Sequence, residues 1–282
     1  MKFTVCILII AAVAVAGAGQ FGEGPPALIN QNGSDGYEVT VLNTYETSYA
    51  DIILGMDYND GYNSIFFISN YDDKIFSCSA FDGTELGSWA LDPTNDNAFG
   101  IADGGIYAHV NDYVDNNVYF FDGSVWGTYT NPYDVDGRGM DFDGTYTWEA
   151  YGPHFATYGA ACAFDQSGTL LGTWNLPGIT AQLSGLTVFD TGTEATGIAV
   201  TAYFQHYVWI YEFTGASMTL LGNVQLPASA DAYLSFGLTY SSERDTYFWS
   251  YRDNSAVCHI SELQVSETSL EHATWANIKT SF

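Results

Sequence analysis

The stretch GMDFDGTYTW occupies residues 139–148, and its opening pattern of glycine, an aliphatic residue and a small or acidic residue recurs along the chain. The other copies begin at Gly55, Gly100, Gly185 and Gly237. Successive copies are roughly 40–50 residues apart, a period typical of solenoids, propellers and other repeat arrays. The repeat therefore predicts that one structural unit is built five times.

The segments between these glycines have the composition and periodicity of β-strands. SIFFIS, NVYFF and ATGIAV are rich in β-branched and aromatic residues and are bounded by Gly, Asp and Asn. Asp-Gly pairs such as Asp82-Gly83 and Asp122-Gly123 separate apolar runs and predict hairpin turns, because glycine adopts positive φ at no steric cost. Each unit is thus predicted to hold four short antiparallel strands. A proline follows the last strand of four units, where pairing must stop: Pro93, Pro132, Pro177 and Pro227.

Four-stranded units repeated around an axis make a β-propeller, so the predicted fold is all-β with five blades. The repeated glycines are expected on the innermost strands, where a side chain would clash at the crowded channel. The segment Tyr37–Tyr45, YEVTVLNTY, stands alone before the first unit. We expect it to close the ring as the outermost strand of the blade that contains Gly237. The alternative is six blades, with both ends of the chain assembling an extra one.

The blade pattern resembles that of exported bacterial propellers of the NHL, SMP-30 and quinoprotein-like repeat families. The likeness lies in GMDFDGTYTW followed by FDQSGTLLGTW, and it extends over about residues 37–265. It implies a propeller architecture and no particular activity. The chain departs from the pattern at Asp57 and Asp141, where those repeats usually have a small neutral residue.

The N-terminus has the features of a secretory signal. Lys2 precedes an apolar run that ends in small residues, a pattern that predicts a cleaved signal peptide over 1–18. We expect a flexible leader over 19–36, the propeller over 37–265, and a tail over 266–282 that forms a short helix. The protein is therefore expected to be secreted, periplasmic or at the cell surface, with no transmembrane segment.

The charge of the chain limits the classes of partner that it is expected to bind. Lys and Arg number 6 against 33 Asp and Glu, a formal net charge of −27. Such an acidic chain is unsuited to nucleic acids, whose phosphates bind basic surfaces. Cys78, Cys162 and Cys258 are too widely spaced for a zinc motif, and they leave the disulfide state open. The oligomeric state is equally open.

Acidic and aromatic residues collect in the segments that connect the predicted strands. A ligand, such as a glycan or a protein, is expected at a mouth formed by Asp96, Tyr133, Asp136, Arg138, His154, His206 and Tyr233. Calcium, which prefers oxygen ligands, is the candidate metal for a second set: Asp92, Asp96, Asp134 and Asp136. The alternative is a solvated loop face, because Asp and Asn are favoured in turns.

The residues two places after the repeated glycines form a second candidate set. Asp57, Asp141, Thr187 and Thr239 share this register, whereas Asp103 comes one place later. Such a ring could hold an ion in the channel or cap the adjacent turns. Two classes of function follow from the sequence. One is a noncatalytic binding or surface-associated propeller, and the other is a carbohydrate-active hydrolase or lyase that uses carboxylates or histidines at the mouth.

Overall fold

The computed structural model describes residues 37–104, 107–133, 136–152, 159–179, 181–227 and 232–267. These residues form twenty β-strands in five sheets of four, and no helix occurs within the described ranges. The predicted signal peptide, the leader and most of the predicted tail lie outside them. Within them, no helix is long and apolar enough to cross a membrane.

Each sheet is one antiparallel blade, and in blades 1 to 4 the strand numbers rise from the channel outwards. Blade 1 contains β2 (Met56–Asn59), β3 (Ser64–Ser69), β4 (Lys74–Ser79) and β5 (Glu85–Ala90). Blade 2 contains β6 (Ala98–Asp103), β7 (Ala108–Asp112), β8 (Asn117–Phe121) and β9 (Trp126–Thr130). Blade 3 contains β10 (Gly137–Phe142), β11 (Thr147–Tyr151), β12 (Gly159–Phe164) and β13 (Leu170–Leu176). Blade 4 contains β14 (Leu183–Asp190), β15 (Thr196–Ala202), β16 (Gln205–Phe213) and β17 (Met218–Gln225).

Blade 5 joins the two ends of the described chain. It contains β18 (Ala232–Ser241), β19 (Thr246–Asp253), β20 (Cys258–Glu267) and, outermost, β1 (Tyr37–Glu46). Strand β1 pairs antiparallel with β20, with Tyr37 opposite Glu267 and Glu46 opposite His259. The predictions of five blades and of a closing N-terminal strand are both confirmed. Strand β20 also takes in the first two residues of the predicted tail.

The repeated glycines bring the innermost strands into backbone contact around the channel. A Cβ added at Gly139 would lie 2.3 Å from the backbone nitrogen of Leu186 in blade 4. A Cβ at Gly237 would lie 2.3 Å from the carbonyl oxygen of Leu54 in blade 1, which closes the ring. Gly55, Gly100 and Gly185 face the backbone of the following blade in the same way. The predicted role of the glycines is confirmed.

The aliphatic residue after each glycine packs between blades. Five clusters of buried apolar side chains fill the spaces between the sheets, and each contains one of these residues. They are Met56, Ile101, Met140, Leu186 and Leu238. The repeat thus supplies both the tight channel and one anchor for each interface, which explains why its first two positions recur together.

Candidate functional site

The connections between blades lie on one face of the propeller. In an antiparallel four-stranded blade, the link to the next blade and the turn between the second and third strands are at the same end. We call this end the mouth face. Its described links are 47–55, 91–97, 131–133, 136, 177–179, 181–182 and 226–227.

A buried arginine lies at the mouth face. Arg138, at the start of β10, is 2% exposed, and its Nη2 forms an ion pair with Asp136. Its Cζ lies 5.0 Å from the ring centroid of Phe99, 4.7 Å from that of Tyr113 and 5.8 Å from that of Tyr203. We call these three rings the aromatic box.

The box explains how a guanidinium tolerates burial in this position. Guanidinium is weakly hydrated and is attracted to the faces of aromatic rings. The rings come from two blades, since Tyr203 lies in the turn between β15 and β16 and the other two belong to blade 2. Nε of Arg138 is buried and has no hydrogen-bond partner. One donor of the charged group is therefore left without a partner.

Two of the predicted ligand-binding tyrosines are exposed on the same face. Tyr133 is 37% exposed and packs edge-on against Tyr151, with ring centroids 4.3 Å apart. Tyr233, near the start of β18, is 45% exposed. Both present an aromatic surface to solvent.

The remaining predicted mouth residues are more scattered. His206 is half-buried in β16, and burial lowers its pKa. Asp96 is exposed on the link between blades 1 and 2, and Asp92 on the same link accepts a hydrogen bond from the Thr94 backbone N–H at 2.8 Å. His154 and Asp134 lie outside the described residues. Of the predicted set, the structure brings Asp136 and Arg138 into direct contact.

No cluster of three or more His, Cys, Asp or Glu side chains suited to a metal occurs among the described residues. The predicted calcium site of Asp92, Asp96, Asp134 and Asp136 therefore stays a prediction, because Asp134 is outside those residues.

A buried glutamate that the sequence did not single out joins blades 2 and 3. Glu149 on β11 accepts hydrogen bonds from Nδ2 of Asn111 at 2.6 Å and from Nδ2 of Asn131 at 3.0 and 3.1 Å. Burial raises its pKa to about 7, although the bonds from Asn111 and Asn131 oppose the shift. The one available signal was a lone charged residue in the apolar run TWEAY.

Two further carboxylates face the channel from blades 1 and 3. Asp57 is 4% exposed and Asp141 is 7% exposed. Asp57 accepts a hydrogen bond from the backbone N–H of Asp103 in blade 2, and Asp141 accepts one from that of Val188 in blade 4 at 2.7 Å. Each carboxylate thus connects its own blade to the next one.

The two channel carboxylates also interact with each other. Burial raises the pKa of Asp57 well above its ordinary value, and the negative charge of Asp141 raises it further. Burial raises the pKa of Asp141 to about 6, and hydrogen bonds from Thr187, Val188, Phe142 and Asp57 oppose that shift. Two buried carboxylates that interact in this way favour a state in which the pair shares one proton.

Asp103, which the sequence places one residue after the shared register, lies outside this ring in the structure. Ala102 takes the ring position in blade 2, and Asp103 one place later accepts a hydrogen bond from Nδ2 of Asn59 at 2.6 Å. Asp103 is therefore a link between blades 1 and 2 rather than a member of the ring.

No protein-family model matches the chain, and no curated protein matches it. Among solved structures, it is similar to the glutaminyl cyclase of Myxococcus xanthus, with 14% identity, coverage of 82% of this chain and 97% of that chain, and a TM-score of 0.62. It is also similar to a chain of the nidogen/laminin complex, with 15% identity, coverage of 72% and 73%, and a TM-score of 0.50. At these identities the likeness shows the propeller fold alone.

Proposed function

We propose that this chain is a noncatalytic, exported propeller that binds a glycan or a protein surface at its mouth face. The observation that carries the proposal is that the mouth face exposes Tyr133 and Tyr233 and also holds the buried Arg138 within its aromatic box. Tyrosine provides a large contact area with few rotatable bonds and can stack on sugar rings or pack against a protein.

The bonding of the buried carboxylates supports a binding role over a catalytic one. Asp57, Asp141 and Glu149 each accept hydrogen bonds from a neighbouring blade, so all three stabilise the ring. A glycoside hydrolase needs two carboxyl groups about 5–10 Å apart that reach the substrate. The channel pair is almost fully buried, and the mouth presents aromatic surface instead.

A glycan array and an array of extracellular proteins, run beside a hydrolysis screen, test the proposal. We expect Tyr133→Ala and Tyr233→Ala to weaken binding by about tenfold or more, as for aromatic residues at the centre of an interface. Tyr62→Ala is the matched control, because Tyr62 is 81% exposed but lies in the turn between β2 and β3 on the opposite face. Binding that neither mouth variant weakens would refute the assignment of the face.

The second candidate is a carbohydrate-active hydrolase or lyase. The specific observation in its favour is the channel pair, since buried carboxyl groups whose pKa values are raised are typical of acid–base sites. In the same screen, turnover of a bound glycan that is lost in Asp141→Asn but kept in Tyr62→Ala would replace the binding proposal with this one.

A further inference from the structure

We propose that Glu149 is a positioning residue for Tyr133, that it acts through the side chain of Asn131, and that it thereby sets the affinity of the mouth face for its ligand. The inference rests on the proposed function, in which Tyr133 contacts the ligand. Glu149 itself is fully buried, so its effect on the ligand is indirect.

The first step is the turn that carries Tyr133. Asn131, Pro132 and Tyr133 follow β9 in the link to blade 3. The backbone N–H of Tyr133 donates to Oδ1 of Asn131 at 3.1 Å, which is the hydrogen bond of an Asx-turn. The proline between them fixes one backbone dihedral of this turn. The direction in which Tyr133 leaves the link therefore depends on where the Asn131 amide is held.

The second step is the contact that holds this amide. Asn131 is 3% exposed, and its Nδ2 donates to Oε1 and Oε2 of Glu149 at 3.1 and 3.0 Å. Blade 2 fixes the carboxylate as well, because Nδ2 of Asn111 donates to its Oε1 at 2.6 Å. The reverse orientation of the Asn131 amide would set its oxygen against the carboxylate and its nitrogen against the Tyr133 N–H. Glu149 thus fixes which atom of Asn131 faces Tyr133.

The third step is the support of the tyrosine ring. Glu149 and Tyr151 are two residues apart on β11, so their side chains lie on the same face of the strand. Tyr151 is 4% exposed, and its ring packs edge-on against that of Tyr133 at an interplanar angle of 80°. One strand therefore holds Tyr133 twice, by its backbone through Asn131 and by its ring through Tyr151.

The chain also contains this turn without the buried carboxylate. In the link between blades 1 and 2, the Thr94 N–H donates to Oδ1 of Asp92 across Pro93 at 2.8 Å. Asp92 is more exposed than Asn131, and an ionised carboxylate has no donor with which to bind a second carboxylate. Asparagine at position 131 can both accept from Tyr133 and donate to Glu149, and the turn at Thr94 is a matched reference for the turn at Tyr133.

Hydrogen exchange of single backbone amides, followed by NMR, tests the positioning without a ligand. We expect Glu149→Met to speed exchange of the Tyr133 N–H by about fivefold or more relative to the Thr94 N–H, because Asn131 loses the acceptors that hold it. Glu149→Gln keeps one acceptor oxygen and should raise the same ratio by less. Equal changes at Tyr133 and Thr94 would show only a loss of overall stability and would overturn the inference. If Glu149→Met fails to fold, Glu149→Gln decides, and an unchanged ratio in that variant overturns the inference.

Binding of a ligand found on the arrays is the second arm. Glu149→Met should weaken binding by about threefold or more in the wild-type background and have no further effect in Tyr133→Ala, because its effect passes through Tyr133. Equal weakening in the two backgrounds would overturn the inference. Failure of the proposed function is distinguishable, because Tyr133→Ala would then leave binding unchanged while the exchange ratio still responds to Glu149→Met.

Discussion

At the scale of single residues, the backbones of neighbouring innermost strands come close together at the channel. Gly100 would place a Cβ 2.1 Å from the carbonyl oxygen of Arg138, and Nδ2 of Asn111 donates to the same oxygen at 2.7 Å. Oδ1 of Asn111 in turn accepts from the Gly100 N–H. The Asn111 side chain thus forms hydrogen bonds with backbone groups of two innermost strands that do not pair with each other. The strands are too close together at this point for any side chain at Gly100.

We predict that Gly139→Ala destabilises the fold by roughly 1–3 kcal/mol or more, because the new methyl group meets the rigid backbone of Leu186. The melting temperature should fall by about 3–10 °C. Gly87→Ala on β5 is the control, since its Cβ would lie 3.6 Å from the Trp89 ring, an ordinary contact. Equal melting temperatures for the two variants would contradict the role of the ring glycines.

At the scale of elements, β1 is the one strand that comes from a distant part of the chain. It pairs with β20 over its whole length, with Val39 opposite Val265 and Tyr45 opposite Ile260, and its register shifts between Val41 and Asn43. Tyr45 also reaches the turn at Gly83 in blade 1, so β1 connects blade 1 to blade 5. Without β1, the strand β20 would present unpaired backbone groups to solvent, a known liability of sheet edges.

We predict that a chain beginning at residue 47 melts at least 10 °C below one beginning at residue 37, or aggregates, because it lacks the outer strand of blade 5. A synthetic peptide of residues 37–46 added in trans should restore part of the loss by occupying the exposed edge. The prediction is wrong if the two chains melt together and the peptide has no effect.

The elements were predictable from the sequence because their signals are local and repeated. The glycine pattern, the Asp-Gly turns and the isolated strand at Tyr37–Tyr45 each occupy a short window. The aromatic box was not predictable, because Phe99, Tyr113 and Tyr203 are far apart in the chain and meet only when blades 2 and 4 are in place. For the same reason the burial of Arg138 was not predictable, and neither was the position of Glu149 between blades 2 and 3.

At the scale of the whole molecule, the free energy of unfolding depends on pH through buried groups whose effects are opposite in sign. Burial raises the pKa of Glu149 in the folded state. Its contribution to stability is therefore complete at a pH below the pKa of Glu149 in the unfolded chain, and it is lost as the pH rises through about 7. Burial lowers the pKa of His109 to about 4, so this residue opposes folding as the pH falls below its ordinary value near 6.5. The contributions of Glu149 and His109 are therefore separated by variants, and not by the pH dependence of wild-type stability.

We predict that Glu149→Gln gains stability relative to the wild type as the pH rises from about 4.5 to 7, because the amide never ionises. The difference should approach a limit on the order of 3 kcal/mol, set by the size of the pKa shift. Chemical denaturation in chelator across this range measures it, with Glu85→Gln on the exposed face of β5 as the control. A constant difference between Glu149→Gln and wild type would show that Glu149 does not titrate in this range.

The pairing of Tyr37 with Glu267 has a mechanical consequence. Both residues lie at the same end of blade 5, opposite the mouth face, so a pull on the two ends of the described chain separates β1 from β20 at that end first. The force then breaks the hydrogen bonds between β1 and β20 one after another, and it does not act on all of them at once. A propeller tethered through both ends would therefore open at this seam under low force, while one tethered through a single end would keep its mouth turned away from the anchor and its ring closed.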